Sequence, residues 1–361
     1  MEKKRIGYID AMRGFTMILV VYNHVLGFSF QSDPAFSFND IFITFRMPLF
    51  FFLSGFLMYR PNLFRTGAGV GKFLKKKAMV QLVPTIIFTI AFCLIFRYSY
   101  HDLWFEKAKC GYWFTVTLFC FFALYALGDW TLGRFLRGRA KILAGTFAAL
   151  LVYAFSKYSL SAGCPWANSA ICGFVGFANL QYFIFFFIGA LVKAHFDAFQ
   201  DLLDRKGTAG CIVSGFVVLL FALLLPQSRD WIVSRLSFPF YSLLKSVAGL
   251  LGIFTVFACF RRNRYFMEHS RVGNWLQGIG TRTLDIYLIH LILIRTDLRF
   301  FGDFLSRHAN PVTELFLVTA VSIVVIELCL LISDVLRSSD FVAKLLFGKV
   351  IKPTEEPVSK S

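Results

Sequence analysis

Apolar residues gather into long runs separated by short polar connections, and the length of those runs is the first structural signal in the chain. A helix needs about 20 mostly apolar residues to cross a bilayer's hydrocarbon. On that rule about ten spans are expected. They run Met12–Phe30, Ile41–Tyr59, Ala78–Phe96, Gly111–Trp130, Ala140–Tyr158, Ala178–Lys193, Thr208–Leu225, Ser237–Phe260, Ile279–Ile294 and Val312–Val335. The sixth and ninth are short. The connections contain Gly, Pro and Asn and leave no room for a second folded domain. The pattern predicts an all-α, polytopic membrane bundle over residues 1–352, with a polar tail, 353–361, expected to be a disordered cytoplasmic segment.

Composition agrees. Of 361 residues, 57% are hydrophobic and 16% charged, and Phe alone supplies 46. A soluble domain usually carries about 25% charge. Disorder, a coiled coil and a secreted disulfide scaffold are excluded, and lipid is the solvent this much apolar surface calls for. The opening Met1–Arg5 and its apolar sequel look like a signal peptide. Arg13 and His24 interrupt that stretch and no small-residue cleavage site follows, so it reads as the first retained span.

The net charge of +17 does not form the single patch that nucleic acid would need, and no nucleic-acid partner is expected. Of the 38 Lys and Arg, about 25 fall in the N-terminus, the even-numbered loops and the tail, against about nine in the odd-numbered loops. That bias puts both termini in the cytoplasm. The loop Arg60–Lys77, ending FLKKK, is the most basic; it anchors topology on anionic lipid or admits a phosphate-rich ligand. The eight Cys show no CxxC pairing, so no metal site is indicated. Cys164 and Cys172 are close enough for a local disulfide, although most such Cys are simply small apolar residues.

Charged groups in hydrocarbon cost several kcal/mol and are functional candidates by default. Arg13 and His24 lie eleven residues apart, close to three helical turns, so they share one face about 16 Å apart along the axis. They cannot pair with each other. They suit opposite ends of one long ligand in a single tunnel, or else an interfacial snorkelling Arg and a satisfied core His. Asp10 lies near the same stripe. Arg46, on the returning second span, is expected at His24's depth, where a guanidinium favours neutral imidazole and can stabilise an oxyanion, or simply binds loop carbonyls or a lipid phosphate. Met47-Pro48 interrupts the helical ladder, and Ser54-Gly55 is a small pair suited to close packing or to backbone approach by a ligand. In the ninth span Arg282 and Asp285 are spaced for local pairing, and His290 is expected at mid-depth, either near His24 or as a core histidine. Lys245 and Glu327 are expected to pair or to line the cavity. Ser54, Tyr287, His290 and Lys245 are the candidate cavity-lining residues.

These residues resemble the acyltransferase-3 family of integral-membrane O-acyltransferases. YIDAMRGFTMILVVYNH looks like its Asp-x-x-Arg and Arg-x10-His signature, matched by Asp10, Arg13 and His24. FRMPLFFFLSGFLM resembles its second-span block, with Arg46, Pro48, Phe51, Ser54, Gly55 and Phe56. KKKAMVQLVP, GYWFTVTLF, YFIFFFIGALV and LDIYLIH echo later blocks in the family's order, and the wording looks closest to sugar (fucose) O-acetylases. The resemblance implies transfer of an acyl group, usually acetyl, from cytoplasmic acyl-CoA to a hydroxyl of a carbohydrate or glycolipid. It implies no bound cofactor, and a location in the bacterial inner membrane. The extracytoplasmic hydrolase-like domain that some members attach is not expected, which puts an acyl hand-off to such a domain in doubt. His24 carries over as catalytic base or transient acyl carrier and Arg13 as the motif arginine, while Arg46 and Asp10 complete the expected catalytic set. Arg13, Lys75, Lys76 and Lys77 are expected to receive the acyl-CoA phosphates. The rival reading, a transporter or flippase for a lipid-linked sugar, predicts an internal repeat that the two halves do not display.

Overall fold

Helices make up the regular structure, and no strand occurs among the described residues. The computed structural model describes residues 5–32, 37–106, 108–161, 177–236, 238–308 and 310–347. Seven helices are long and apolar enough to cross a membrane. They are α1 (Gly7–Phe30), α2 (Phe38–Met58), α3 (Gly67–Phe96), α4 (Trp113–Phe135), α5 (Gly138–Ser161), α10 (Phe238–Arg262) and α14 (Pro311–Leu336). An eighth candidate is α6 (Phe183–Ala194) with its preceding turn, continued by α7 (Phe196–Asp204) after a 91° bend.

Between these lie the apolar α8 (Thr208–Leu224), the polar α9 (Pro226–Leu236), α11 (Arg271–Thr281), the apolar α12 (Thr283–Leu293) and the amphipathic α13 (Arg299–His308). Each of the ten expected runs coincides with a helix, but seven, or eight with the bent pair, are of spanning length. The ninth run falls short because the backbone breaks at Arg282 (φ −114°, ψ 21°), which parts α11 from α12. Cys164 and Cys172, the candidate disulfide partners, and the polar tail lie outside the described residues.

Large apolar side chains of α5 and α14 face outward: Leu143 is 70% and Phe316 71% exposed. In water such a surface would drive association; in lipid it is the proper exterior.

Inside the bundle, small residues bring helices into backbone contact. A Cβ on Gly14 of α1 would collide with the Leu276 carbonyl oxygen of α11, and one on Gly280 with the backbone carbonyl oxygen of Asp10. Contact this close is possible only for glycine, and small residues at membrane-helix interfaces serve this end. Gly55 of α2 and Gly189 of α6 repeat the device, which realises the close-packing reading of Ser54-Gly55. Pro48 lies within α2, which runs on past it.

Two polar contacts set α12 beside α1. Arg13 donates to Thr283, and His24 meets His290 farther along both helices. Residue numbers rise together across this interface, so α1 and α12 run parallel.

Candidate functional site

The site is organised along α1. At one end the Arg13 guanidinium donates to the Asp10 carboxylate at 3.2 Å and to Thr283 Oγ1 at 3.0 Å. The i,i+3 spacing of Asp10 and Arg13 makes the first contact a local helix pair, and the Gly14–Gly280 contact brings the α11–α12 corner, and with it Thr283, into reach. Arg13 and Thr283 line a cavity of about 200 Å³ together with Lys77, Ser54, Gln81 and Tyr287. Ser54 donates to the Phe50 carbonyl at 2.8 Å. Lys77 packs its ammonium on the Phe122 ring, 4.0 Å from the centroid. Lys75 and Lys76, one helical position or two away, are exposed and stand outside this lining.

At the other end His24 Nδ1 lies 3.0 Å from His290 Nε2, with the two rings parallel (2° apart). His290 is fully buried, and its Nδ1 lies 2.9 Å from the Ile286 carbonyl oxygen. A carbonyl can only accept, so His290 Nδ1 carries the hydrogen. With both rings neutral, His290 Nε2 is then the acceptor and His24 Nδ1 the donor, which leaves the basic lone pair of His24 on Nε2.

His24 lines a different cavity, of about 710 Å³, with Asn23, Ser37, Asn39, Asp40, Trp113 and Arg295 prominent in its wall. Asn39 Nδ2 donates to Asn23 Oδ1 at 3.1 Å. Ser37 caps α2 in a capping box with Asp40 and donates to the buried carboxylate of Glu314 at 2.5 Å, beside the Tyr22 hydroxyl at 2.7 Å. The Arg295 guanidinium stacks on Phe28, 4.8 Å from the ring centroid.

The expected common tunnel is therefore not what α1 presents: Arg13 and His24 line separate cavities. Between them stands Tyr287, buried, which donates its hydroxyl hydrogen to the Gly111 carbonyl at 2.5 Å and accepts from the Phe114 N–H at 3.1 Å. Gly111 belongs to the His24 cavity and Phe114 to the Arg13 cavity, so this turn and the tyrosine ring form the partition.

Both key positions precede wider helical turns. A π-helical stretch, Val25–Phe30, begins directly after His24, and another, Ala78–Leu82, directly after Lys77. Such turns are frequent at functional sites.

Other expected residues stand elsewhere. Arg46 is buried and donates to the Leu19 carbonyl of α1 at 3.5 Å, with Nε unpartnered among the described residues. It appears in neither lining, and neither does Asp10. Lys245 is exposed on α10, its ammonium 5.2 Å from the Tyr241 ring centroid, and lines neither cavity. The expected Lys245–Glu327 pairing gives way to a hydrogen bond from Trp275 Nε1 to Glu327 at 2.6 Å. Asp285 lies 3.7 Å from Arg282 but is gripped more closely by Arg337, at 2.8 Å, and by Ser333. Arg282 itself pairs with Asp334 at 2.7 Å.

The sequence matches the family model of an acyltransferase domain over residues 6–333, nearly the whole chain. The chain belongs to the acyltransferase-3 family. It is thus a membrane acyltransferase, built on apolar helices. No curated protein and no solved structure matches it. For an acyltransferase-3 chain, the candidate residues that the reading of motifs missed are Arg295, Asn23 and Asn39 in the wall of the His24 cavity, and Glu314 behind Ser37. Glu314 and Arg295 sit at the very ends of apolar runs, and an acid as the third residue of the Val312–Val335 run was the available signal.

Proposed function

We propose that the protein transfers an acyl group, acetyl in the simplest case, from acyl-CoA to a hydroxyl of a carbohydrate or glycolipid, with His24 Nε2 as the base. The observation that carries this reading is the His24–His290 hydrogen bond, with His290 Nδ1 committed to Ile286, because it leaves one basic nitrogen on a side chain that lines a polar cavity. Tautomer control by a partner is how histidine bases are made ready in hydrolases of unrelated fold.

The two cavities divide the substrates. Acyl-CoA enters at the Arg13 end, where Arg13 and Lys77 meet its phosphates and the apolar wall of Phe50, Leu53 and Leu118 takes the pantetheine arm. Lys75 and Lys76 add positive potential at the mouth without touching the donor. The acceptor occupies the larger cavity, whose amides, hydroxyls and Asp40 suit a hydroxyl-rich ligand, with Trp113 offering a flat apolar face. Movement of Tyr287 away from Gly111 joins the cavities and lets the thioester reach His24.

In the transfer step His24 Nε2 takes the acceptor's hydroxyl proton as the oxygen attacks the thioester carbonyl carbon. The C–S bond then breaks, and the departing thiolate recovers the proton from His24. No acyl-histidine intermediate is needed. Asp10 positions Arg13. Arg46 contributes a buried positive charge about five residues of α1 short of His24, roughly 7.5 Å along the axis, and so supports the developing oxyanion through the field, not by direct contact. The excess of Lys and Arg in the N-terminus and in alternate connections supports a topology with both termini, and the acyl-CoA mouth, on the cytoplasmic face; a bacterial inner membrane is the setting the family resemblance implies.

The test is acyl transfer by the purified full chain, followed as thioester loss and as mass gain on the acceptor. Wild type consumes acetyl-CoA only with acceptor present, and His24→Ala does not. Near-normal transfer by His24→Ala would overturn the assignment.

A further inference from the structure

Away from both cavities, α4, α5 and α6 leave a cleft with two unlike halves. The inner half, about 400 Å³, is apolar, with Leu124, Leu132, Ile142, Val152, Phe187 and Leu191 in its wall. Gly128, Gly145 and Ala148 keep it open, since larger side chains there would fill it. The outer half, about 710 Å³, is lined by Arg60, Arg65, Arg134, Arg137 and Lys141. Tyr59, Tyr125, Asp129 and Lys141 line both halves, so the two are continuous.

The charge is not internally balanced. Asp129 is the one carboxylate among the lining residues, and Lys141 holds it at 2.7 Å. Four arginines remain, and one of them, Arg134, sits over Trp130 with its Cζ 4.1 Å from the ring centroid. Arginine forks match phosphate oxygens in pairs, and stacking on an indole fixes one fork in place.

An apolar slot that opens into a cluster of arginines fits one kind of molecule: an amphiphile with a phosphate head and a hydrocarbon tail. We propose that this cleft is a binding site for an anionic phospholipid, its phosphate among Arg60, Arg65 and Arg137 and an acyl chain between α4, α5 and α6. Positive loops in general need only point toward anionic lipid; here the charges converge on a concavity whose floor continues as an apolar channel. The nucleotide end of acyl-CoA is a poorer occupant, since it carries no hydrocarbon chain to fill the apolar half. This site does not depend on the acyl-transfer reading.

Delipidated full-length protein in detergent is titrated with phosphatidylglycerol, phosphatidylcholine or CoA while thermal unfolding is followed. Phosphatidylglycerol is expected to raise the midpoint saturably, at a half-saturating concentration at least tenfold below that of phosphatidylcholine. R65Q/R137Q is expected to raise that concentration tenfold or more and to leave the phosphatidylcholine response unchanged. A148W, which fills the slot, is expected to weaken the phosphatidylglycerol response with the arginines intact. Equal responses of wild type to the two lipids, or a phosphatidylglycerol response untouched in R65Q/R137Q, would overturn the site. Loss of CoA stabilisation in R65Q/R137Q with the lipid response retained would assign the basin to a nucleotide instead. Should R65Q/R137Q fail to fold, native mass spectrometry of the wild type decides: retention of one phosphatidylglycerol under activation that strips phosphatidylcholine supports the site, and parallel loss of both refutes it.

Discussion

The two ends of α1 carry out opposite designs with the same helix. Around Arg13 the cavity is narrow, about 200 Å³, and mostly apolar except for two cations and a few hydroxyl and amide groups. Around His24 it is about 710 Å³ and dominated by amides, hydroxyls, a carboxylate and Arg295. A long, thin ligand with phosphates at one end suits the first; a compact hydroxyl-rich ligand suits the second. Tyr287 stands between them with both hydrogen bonds satisfied, so the resting partition is stable and must be disturbed for anything to pass. The contrast teaches that sharing a helix face does not mean sharing a void.

The strongest way to break the comparison is at His24. A positioned general base is typically worth about 10²–10⁴-fold in rate. His24→Ala should therefore lose about 10³-fold or more in kcat, with the protein still inserted and folded as judged by its thermal midpoint. If His24 served only core packing, transfer would persist and the midpoint would fall. Next in size is His290. Partners that orient a metal-bound imidazole typically cost about 10–100-fold when removed, and, His290 orienting His24 in the same way, His290→Leu is expected to lower kcat by about that factor with KM for acyl-CoA unchanged. His290→Gln retains an acceptor that can reach His24 Nδ1 and should recover part of the loss. Equal damage from Leu and Gln would reduce His290 to a packing residue.

Much of this was legible in the order of residues, and the exceptions have physical causes. Run length located every helix of spanning length among the described residues, because lipid demands continuous apolar stretches. The local Asp10–Arg13 pair follows from spacing alone. The count of about ten was approximate, since seven helices, or eight with the bent pair, reach spanning length; runs measure hydrophobicity and not backbone continuity, and Arg282 breaks one such run. A shared tunnel was expected because periodicity shows which residues face together on α1. It is silent on Tyr287 and the Gly111–Phe114 turn, which arrive from distant parts of the chain to fill the space between. The Gly14–Gly280 contact joins residues 266 apart and has no local signature. Lys245 and Glu327 looked equivalent as buried charges, yet Lys245 reaches the surface of α10 and Glu327 takes the Trp275 indole.

Smaller effects sharpen the division of labour between the two ends. Arg13→Ala removes one of two cations from the narrow cavity and strands Asp10 and Thr283 without their partner. A charge-assisted contact of this kind is worth roughly 1.5–3 kcal/mol, so KM for acyl-CoA should rise about tenfold or more while KM for the acceptor stays fixed. Initial rates measured with each substrate varied in turn would check it, and an unchanged dependence on acyl-CoA would remove Arg13 from the donor site.

The mirror experiment is Asn39→Ala. Its amide lines the polar cavity and donates to Asn23, and it touches nothing at the Arg13 end. A neutral hydrogen bond contributes about 0.5–1.5 kcal/mol, so KM for the acceptor should rise only about two- to tenfold, with acyl-CoA dependence unmoved. The pair of variants makes a stricter test than either alone. If Arg13→Ala and Asn39→Ala each raised both KM values, the cavities would be two mouths of one pocket in the working enzyme. If each disturbed its own substrate only, the partition at Tyr287 would be the boundary across which the acyl group passes.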